Sequence, residues 1–267
     1  MSAGLLQQKK VVIFGAGGSI GAAVAKEFAI EGAEVFLAGR TQPSVEAVAR
    51  QIAAAGGDAQ GATVNALDDA AVNEYLDRIV RQTGRIDAVF NATGPRAGEY
   101  GNGKHAVNLA IEEFMLPLAT VVRSQFITAR AAARHMVKQH SGVIIFLTGS
   151  PARGHVEGVT AIGAAFGAIE SLTENLATEV GSAGVRVVCL RTTANIDSRT
   201  IQETMETLAG VMNVTKDQMI ERTASMNFLK VPAKVSDTAK AAVLLASDRG
   251  RLITGTVVNS TAGAALD

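Results

Sequence analysis

The sequence predicts an α/β fold in which one doubly wound parallel sheet of about seven strands carries helices on both faces. Three observations predict it. Short apolar runs alternate with longer helical patterns, several of those runs consist of Val, Ile, Leu and Phe, and a glycine-rich turn joins the first run to the first helix. Continuous apolar runs are typical of strands covered on both faces, and intervening helices join parallel strands. We therefore expect a single Rossmann-type domain over residues 1–267.

Each strand candidate is a short apolar run bounded by turn residues or by a helical pattern. In chain order the seven candidates are Val11–Phe14, Glu34–Ala38, Ala59–Val64, Ile86–Phe90, Val143–Thr148, Arg186–Leu190 and Thr254–Val258. The segments between them are long enough to be crossover helices. They include Ala22–Ile30, Ser44–Ala55, Ala70–Gln82 and Val235–Ala246.

Two segments interrupt this alternation. Thr93–Lys104 is rich in Gly and polar residues and is predicted to form a loop. Residues 192–232 show helical patterns but no strand, and we expect a helical insertion there on the substrate side. Both segments follow strand ends at the edge where open α/β sheets bind ligands, so both are candidate substrate-facing elements.

The composition excludes several classes of partner. Lys+Arg and Asp+Glu both total 25, so the net charge provides no attraction to nucleic acid or to an anionic membrane. Cys189 is the single cysteine, which excludes an internal disulfide and fits a reducing compartment. No stretch approaches the length of a membrane span, and the first residues lack the apolar core of a signal peptide. We expect a soluble cytoplasmic protein with a small-molecule substrate.

The turn after the first strand is a candidate phosphate-binding loop. Glycines let the backbone turn sharply and approach a diphosphate, which then lies on the free N–H groups at the helix start. The predicted contacts are Gly15, Gly17, Gly18, Ser19, Ile20 and Gly21. The spacing is not a strict G-x-G-x-x-G, and glycine-rich turns of this kind also occur for packing alone. The position between a strand and a helix favours dinucleotide binding.

The end of the second strand indicates which dinucleotide binds. A carboxylate there accepts hydrogen bonds from the ribose 2′-hydroxyl of NAD(H). This chain has Gly39 and Arg40 instead, and a guanidinium pairs well with a 2′-phosphate. NADP(H) is therefore favoured over NAD(H). The alternative is that Arg40 is an ordinary surface residue.

Taken together and in this order, the motifs resemble the short-chain dehydrogenase/reductase family over nearly the whole chain. The T-G-x-x-x-G-x-G motif corresponds to Phe14–Gly21, and the last strand and helix of the family resemble Ile253–Asn259 and Val235–Asp248. The resemblance implies further cofactor contacts at Asn65, Ala66, Asn91, Ala92, Thr93 and Gly94. Within the family, the chain resembles bacterial 3-oxoacyl-acyl-carrier-protein reductases and their relatives. The resemblance also implies a homo-oligomer, either a dimer or a tetramer, with the homotetramer as the family expectation.

The resemblance fails at the family's catalytic residues, which are a Ser and a helical Tyr-x-x-x-Lys pair. The alignment puts Ile162 at the Tyr position, Phe166 at the Lys position, Gly149 at the Ser position and Val121 near the supporting Asn. Phe166 would also remove two hydrogen bonds to the ribose, each of about 1 kcal/mol. We therefore expect an atypical active site and weak NADP(H) affinity.

A different Tyr-x-x-x-Lys occurs at Tyr100 and Lys104, but its interior is Gly-Asn-Gly. Glycines make a poor helix, so this spacing does not place the two groups on one helix face. We interpret the match as a coincidence. The only other tyrosine, Tyr75, lies far from the expected catalytic helix.

Replacement groups follow the fifth strand. Ser150 and His155 are the predicted catalytic residues, because hydride transfer to a carbonyl requires a proton donor and an imidazole titrates near neutrality. Arg153 could polarise an oxygen or bind a carboxylate or phosphate. Each of the three also has an ordinary reading as a turn or surface residue. Arg96, Tyr100 and His105 on the facing loop could close over a ligand.

Three hypotheses remain open. The first is an NADP(H)-dependent oxidoreductase, acting on a carbonyl such as a 3-oxoacyl thioester with an unusual proton donor. The second is a catalytically inactive NADP(H)-binding sensor or partner subunit. The third is a related fold that has lost the cofactor. The expected catalytic helix is rich in Gly and Ala, which permits close packing against a second copy of the chain.

Overall fold

A seven-stranded parallel sheet forms the centre of the computed structural model, which describes residues 4–153 and 156–267. The strand order is β3-β2-β1-β4-β5-β6-β7, and every neighbouring pair is parallel. The predicted fold class is confirmed. The strands are β1 Lys10–Phe14, β2 Glu34–Gly39, β3 Asp58–Thr63, β4 Ala88–Asn91, β5 Gly142–Gly149, β6 Val185–Thr192 and β7 Thr256–Ser260.

Helices cover both faces of this sheet. In the described residues they are α1 Ser19–Ile30, α2 Gln42–Ala54, α3 Asp69–Thr83, α4 Ile111–Pro117, α5 Arg123–Gln139, α6 Thr160–Val180, α7 Arg199–Met212, α8 Lys216–Ser225 and α9 Val235–Ala246. A π-helical turn, Leu118–Val122, joins α4 to α5. Helices α7 and α8 occupy the irregular segment 192–232, which contains helices and only the last residue of β6, as its pattern predicts.

The alternation of side chains along β1 divides the core into two halves. Val11 and Ile13 pack with α1, α2 and α9, whereas Val12 and Phe14 pack with α3, α5 and α6. All four side chains are fully buried. Burial of an aliphatic or aromatic side chain contributes about 1.5–3 kcal/mol, which is why continuous apolar strands specify a sheet covered on both faces.

Two strands begin later than their apolar runs predict. The β4 run starts at Ile86, but the Asp87 carboxylate accepts a hydrogen bond from the Lys10 backbone N–H at 2.8 Å, and β4 starts at Ala88. The β7 run starts at Thr254, but Gly255 has a φ of +62°, which is incompatible with a strand, and β7 starts at Thr256. In both cases local backbone chemistry overrides the apolar pattern.

The strand order reverses between β1 and β4, and open α/β sheets have their ligand-binding crevice at such a reversal, at the carboxyl edge of the sheet. Short β4 leaves the end of β5 without a strand neighbour on that side. The Gln125 side chain takes the place of the missing strand neighbour. It donates to the Leu147 carbonyl at 2.9 Å and accepts from the Leu147 N–H at 3.2 Å. These bonds hold the end of β5 beside the crevice. In the described residues, no helix has the length and apolar character that a membrane span requires.

Candidate functional site

The glycine-rich turn between β1 and α1 packs tightly against the loop after β4. Gly15 has a φ of +75°, and a Cβ on it would lie 2.8 Å from the Ala92 carbonyl carbon. A Cβ on Gly21 would lie 2.3 Å from the Gly15 oxygen, and one on Gly17 would lie 2.4 Å from Ser44 Oγ. These glycines therefore have a packing role, which is the alternative that their sequence pattern left open. They also bring the start of α1 to the crevice.

The start of α1 retains the features of an anion site. Gly18 is the N-cap residue and supplies no side-chain hydrogen bond, so no side chain caps the first amides of α1, from Ser19 to Gly21. Free amides at a helix N-terminus attract a phosphate group. Ile20 is partly buried against the α1, α2 and α9 half of the core. The backbone of this turn, rather than its side chains, is the part that can hold a diphosphate.

At the end of β2, Arg40 is exposed and forms no hydrogen bond or ion pair with the described residues. Gly39 provides no carboxylate, and a Cβ there would lie 2.7 Å from Val45 Cγ2. A cation without a partner beside the phosphate turn can bind a second phosphate.

After β3, the side chains of the two predicted adenine contacts have structural roles. Asn65 Oδ1 accepts a hydrogen bond from the Leu67 N–H at 3.2 Å, and Ala66 is 4% exposed and belongs to the core. The backbone of Ala66, rather than its methyl group, is the part left to contact a base. A cleft of about 390 Å³ between α2, β3 and α3 lies nearby, but none of the predicted cofactor contacts lines it.

After β4, Asn91 is buried and organises the loop. Its side-chain amide donates to Thr128 Oγ1 at 2.9 Å, and its Oδ1 accepts from the Thr93 N–H at 2.8 Å. The Thr93 hydroxyl oxygen is buried without a hydrogen-bond partner in the described structure. Buried hydroxyls are normally paired, so this one fits a ligand that supplies the missing partner. Ala92 is half-buried and Gly94 is exposed at the same edge.

The residues that the sequence predicts at the positions of the family's Tyr and Lys lie in an apolar cluster. Ile162, on α6, is 7% exposed and packs with Ala97, Tyr100, Val121 and Ala161. Phe166 packs against this cluster, and a Cβ on Gly149 would lie 3.0 Å from Phe166 Cε2. Neither Ile162 nor Phe166 carries a group that can donate or accept a proton. This part of the site can contact a ring or an acyl chain and can exclude water.

Tyr100 and Lys104 do not form a catalytic pair. Tyr100 ends a 3-10 turn, Ala97–Tyr100, and burial raises its pKa to about 12. The Lys104 ammonium binds the Glu113 carboxylate at 2.6 Å. A phenol with a raised pKa keeps its proton near pH 7, and the ammonium that would lower this pKa is paired with Glu113 instead. Of the other residues on this loop, Arg96 and His105 are exposed.

The predicted replacement groups follow β5. Ser150 begins a 3-10 turn, Ser150–Ala152, and its hydroxyl forms no hydrogen bond with the described residues. The Ser150 carbonyl accepts from the Arg153 N–H at 3.1 Å, and Arg153 also forms an ion pair with Glu170. His155 lies outside the described residues. Ser150 is therefore the predicted catalytic side chain whose surroundings the structure describes.

Sequence reasoning missed a group of buried charges beneath this turn. Glu170 on α6 and Arg191 on β6 form a buried pair, which Thr148 Oγ1 joins at 3.3 Å from Glu170 Oε1. An acid on the inner face of an apolar helix, and an arginine inside an apolar strand, are signals that could have indicated the pair. Unpaired charges are rarely buried, so each predicts a partner.

Two further features were not apparent from sequence. Ser19 Oγ accepts a hydrogen bond at 3.0 Å from the N–H of Arg199, the first residue of α7, and this bond ties the substrate-side helix to the phosphate turn. Val121, near the predicted position of the family's supporting Asn, lies in the π-helical turn. Such turns occur frequently at functional sites.

Comparison with known proteins agrees with this geometry. A family model described as enoyl-(acyl carrier protein) reductase matches residues 15–265. The short-chain reductase protein NovJ of Streptomyces niveus is 28% identical over 257 residues, which are 96% of this chain and 94% of that protein. The 3-oxoacyl-[acyl-carrier-protein] reductase FabG of Chlamydia pneumoniae is 27% identical over 182 residues, or 68% and 71% of the two chains.

Among solved structures, levodione reductase superposes with a TM-score of 0.87 at 23% identity and covers 97% of this chain and 98% of its own. At that identity the likeness shows the fold. The family model nevertheless spans the phosphate turn, the apolar cluster and the end of the last strand. The chain therefore belongs to the short-chain dehydrogenase/reductase family, whose members are oxidoreductases that bind a nicotinamide dinucleotide.

Proposed function

We propose that this protein is an NADP(H)-dependent oxidoreductase that reduces a carbonyl group with an atypical proton donor. The observation that carries the proposal is the phosphate turn, in which uncapped amides of α1 lie beside the unpaired Arg40. The names of its reductase relatives include a 3-oxoacyl-acyl-carrier-protein reductase, which supports a 3-oxoacyl thioester as the first substrate class to test.

The described residues fit the cofactor. The amides from Ser19 to Gly21 would hold the diphosphate, and Arg40 would bind the 2′-phosphate. The unpartnered Thr93 hydroxyl would hydrogen-bond the nicotinamide half. When bound, NADPH supplies the hydride. The chain's own part is to orient the dinucleotide, to exclude water and to deliver a proton.

The proposed proton donor is Ser150, whose unbonded hydroxyl lies next to Gly149 at the end of β5. His155, the second predicted catalytic residue, follows it by five positions in the chain and can re-protonate a serine alkoxide. The usual family residues are absent under this proposal, because Ile162 and Phe166 stand at the Tyr and Lys positions. The apolar cluster around Ile162 supports an acyl or ring substituent as its neighbour.

The cofactor part is tested by titration with NADPH and with NADH. The chain contains no Trp, so nicotinamide fluorescence is read without a tryptophan background. We expect tighter binding of NADPH, and Arg40→Gln should reduce that preference about tenfold, since charge-assisted hydrogen bonds contribute about 1.5–3 kcal/mol. Arg50→Gln on α2 is the matched control, because Arg50 is exposed and lies on the neighbouring helix. Equal affinities for both dinucleotides would remove the argument from Arg40.

The enzyme part is tested by NADPH oxidation with 3-oxoacyl thioesters, aldehydes, ketones and quinones. Ser150→Ala and His155→Ala should each lower the rate about 100-fold or more, the range of general acid–base catalysis. Ser171→Ala, an exposed serine on α6, is the control. Unchanged rates in both variants would eliminate these donors. Tight NADPH binding without turnover would instead identify a cofactor-binding sensor or partner subunit.

We also propose that the protein forms a homo-oligomer, a dimer or tetramer, and acts in the cytoplasm. Ile111, Met115 and Phe126 are exposed apolar residues on α4 and α5. Gly167 on the neighbouring α6 has no atom within 4 Å of the place where a Cβ would lie. A surface of this kind permits the close approach of a second copy.

A further inference from the structure

Glu170 is a buried acid on α6, one helical turn beyond Phe166. Arg191 of β6 donates two hydrogen bonds to the Glu170 carboxylate, with Nε 2.8 Å from Oε1 and Nη2 2.9 Å from Oε2. Arg191 is 1% exposed and Glu170 is 3% exposed. A bidentate pair fixes both side chains in one plane, so Glu170 is a rigid anchor beneath the carboxyl ends of β5 and β6.

This anchor also holds Arg153. Arg153 Nε lies 3.4 Å from Glu170 Oε2, whereas the Arg153 side chain is 59% exposed. The Nη groups of Arg153 form no hydrogen bond in the described structure. The guanidinium therefore lies against Glu170 through its Nε, and more than half of the side chain is open to solvent. Two parallel Nη donors match the two oxygens of a carboxylate or phosphate.

Asp267 shows that a carboxylate is stable beside these arginines. It accepts a hydrogen bond from Arg191 Nη1, and its side chain is 59% exposed. Hydrogen bonding to Arg191 is the main reason that the pKa of Asp267 is lowered, and the charge of Arg153 adds to the effect. The positive potential of Arg153 and Arg191, which the buried Glu170 partly offsets, therefore acts on a carboxylate at a solvent-accessible position.

Arg153 connects the buried Glu170–Arg191 pair to the proposed reaction centre. Arg153 donates its backbone N–H to the carbonyl of Ser150, the proposed proton donor, at 3.1 Å. Thr148, two residues before Ser150, lies directly opposite Arg191 in the register of β5 and β6. Arg153 and the proposed proton donor Ser150 therefore belong to one short turn at the carboxyl end of β5.

We propose that Arg153, anchored by the buried Glu170–Arg191 pair, selects substrates or inhibitors that carry a carboxylate or phosphate group. The proposal rests on the proposed function for its setting and names the substrate class. Arg153 binds the anionic group, and Glu170 is a positioning residue that acts through Arg153. Asp267 competes with the ligand for the same positive potential.

Binding of simple anions tests the proposal without a known substrate. Malonate and inorganic phosphate, titrated calorimetrically into the protein with and without NADPH, distinguish a carboxylate from a phosphate ligand. We expect Arg153→Gln to weaken the preferred anion about tenfold or more, and Arg153→Lys to retain part of the affinity, since it keeps the charge but not the fork. Asp267→Asn should tighten binding severalfold. Arg251→Gln, an exposed arginine before β7, is the control.

Glu170→Gln tests the anchor. In combination with Arg153→Gln it should cause no further loss of anion affinity, because a positioning residue has no effect once its target is removed. Additive losses would overturn the anchoring role. Since Glu170→Gln leaves Arg191 buried beside a neutral partner, the fold of this variant is checked by circular dichroism, and the exposed Arg153 variants decide the matter if it unfolds.

Kinetics with a matched pair of carbonyl compounds separate this inference from the proposed function. Acetoacetate and ethyl acetoacetate differ in one negative charge. Arg153→Gln should raise KM for acetoacetate about tenfold, with little change for the ester or in kcat. Equal anion affinities of the wild type and Arg153→Gln would overturn the inference while NADPH binding and turnover stand. Anion binding that depends on Arg153, without any turnover, would support the inference and count against the proposed function.

Discussion

The Phe166 ring limits the size of the side chain that position 149 can carry. Gly149 ends β5, and the space where its Cβ would lie is bounded by the Phe166 ring at 3.0 Å and by Pro151 Cδ at 3.3 Å. The Phe166 ring would therefore crowd a serine at position 149. If Gly149 and Phe166 stand at the positions of the family's Ser and Lys, as the sequence predicts, then the two replacements are sterically linked.

This dependence predicts the effect of restoring the serine. Gly149→Ser should reduce the free energy of unfolding by about 1–3 kcal/mol, because it overpacks a filled region. Phe166→Leu in the same chain should remove part of that cost. Urea denaturation of the two single variants and the double variant measures the coupling. Gly98→Ser is the control, since nothing lies within 4 Å of a Cβ there. A neutral Gly149→Ser would show that the ring moves aside without cost.

The two tyrosines give a second prediction at this scale. Burial raises the pKa of Tyr100 to about 12 and also raises the pKa of Tyr75 above its usual value. In the unfolded chain both ionise near pH 10, so stability is retained below about pH 10 and falls as the pH rises toward 12. Absorbance at 295 nm should stay flat through pH 10 and rise together with the loss of helical circular dichroism.

With two tyrosines and no tryptophan, that titration has little background. Tyr100→Phe should leave the curve flat through pH 10, and the amplitude of the later rise should fall by about half because one of the two phenols is gone. An absorbance rise below pH 9 in the folded protein, lost in Tyr100→Phe, would mean that a cation lowers the pKa of Tyr100. Tyr100 would then become the leading candidate for the acid–base residue.

Individual residues show where sequence reasoning was sufficient and where it failed. Gly15 follows from chemistry, because a turn with positive φ against another backbone excludes side chains. Glu170 and Arg191 were missed, because Glu170 lies on a helix that is otherwise rich in small and apolar residues and Arg191 lies one residue beyond the predicted sixth strand. Their pairing joins α6 to β6, and a single sequence contains no signal for the register that places them together.

At the scale of elements, capping chemistry set the boundaries that could be predicted. Helix α3 begins after Asp68, whose side chain accepts from the Ala71 N–H, and ends at Gly84, which has a φ of +81°. Its predicted range, Ala70–Gln82, lies one residue inside the observed range at each end. The π-helical turn between α4 and α5 could not be predicted, because no residue in Leu118–Val122 marks the insertion of one extra residue into a helix.

The contact between Ser19 and Arg199 predicts that the phosphate turn stabilises the start of α7. Ser19→Ala removes the acceptor of the first amide of α7, comparable to the loss of an N-cap that costs about 0.5–2 kcal/mol. Hydrogen exchange over residues 199–203 should become faster, while NADPH affinity changes little. Ser171→Ala serves as the control. Unchanged exchange would show that α7 is held by its packing alone.

For the whole molecule, the order of strands was implicit in the alternation of elements. Right-handed crossovers and a covered sheet leave few arrangements, and the observed order, with its reversal between β1 and β4, is one of them. The candidate cofactor site follows from this reversal, because most of its predicted contacts follow β1, β2 and β4. The group around Glu170 draws on segments near residues 153, 170, 191 and 267, and their convergence emerges only from the packed structure.

The proposed association of copies gives the last prediction. Gly167 lies on an outward part of α6, with no atom within 4 Å of the place where a Cβ would lie, and α6 contacts α4 and α5, which carry exposed apolar residues. In a monomer, Gly167→Ala should stabilise α6 by about 0.5–1 kcal/mol, since Gly is a poor helix former. At a close-packed interface the added side chain instead separates the two helices. We therefore expect Gly167→Leu to shift the protein toward smaller species in analytical ultracentrifugation and to lower Tm in a concentration-dependent way. Ala54→Leu, an exposed position on α2, should change neither. A Gly167→Leu variant that sediments like the wild type and is more stable would place this helix face in solvent.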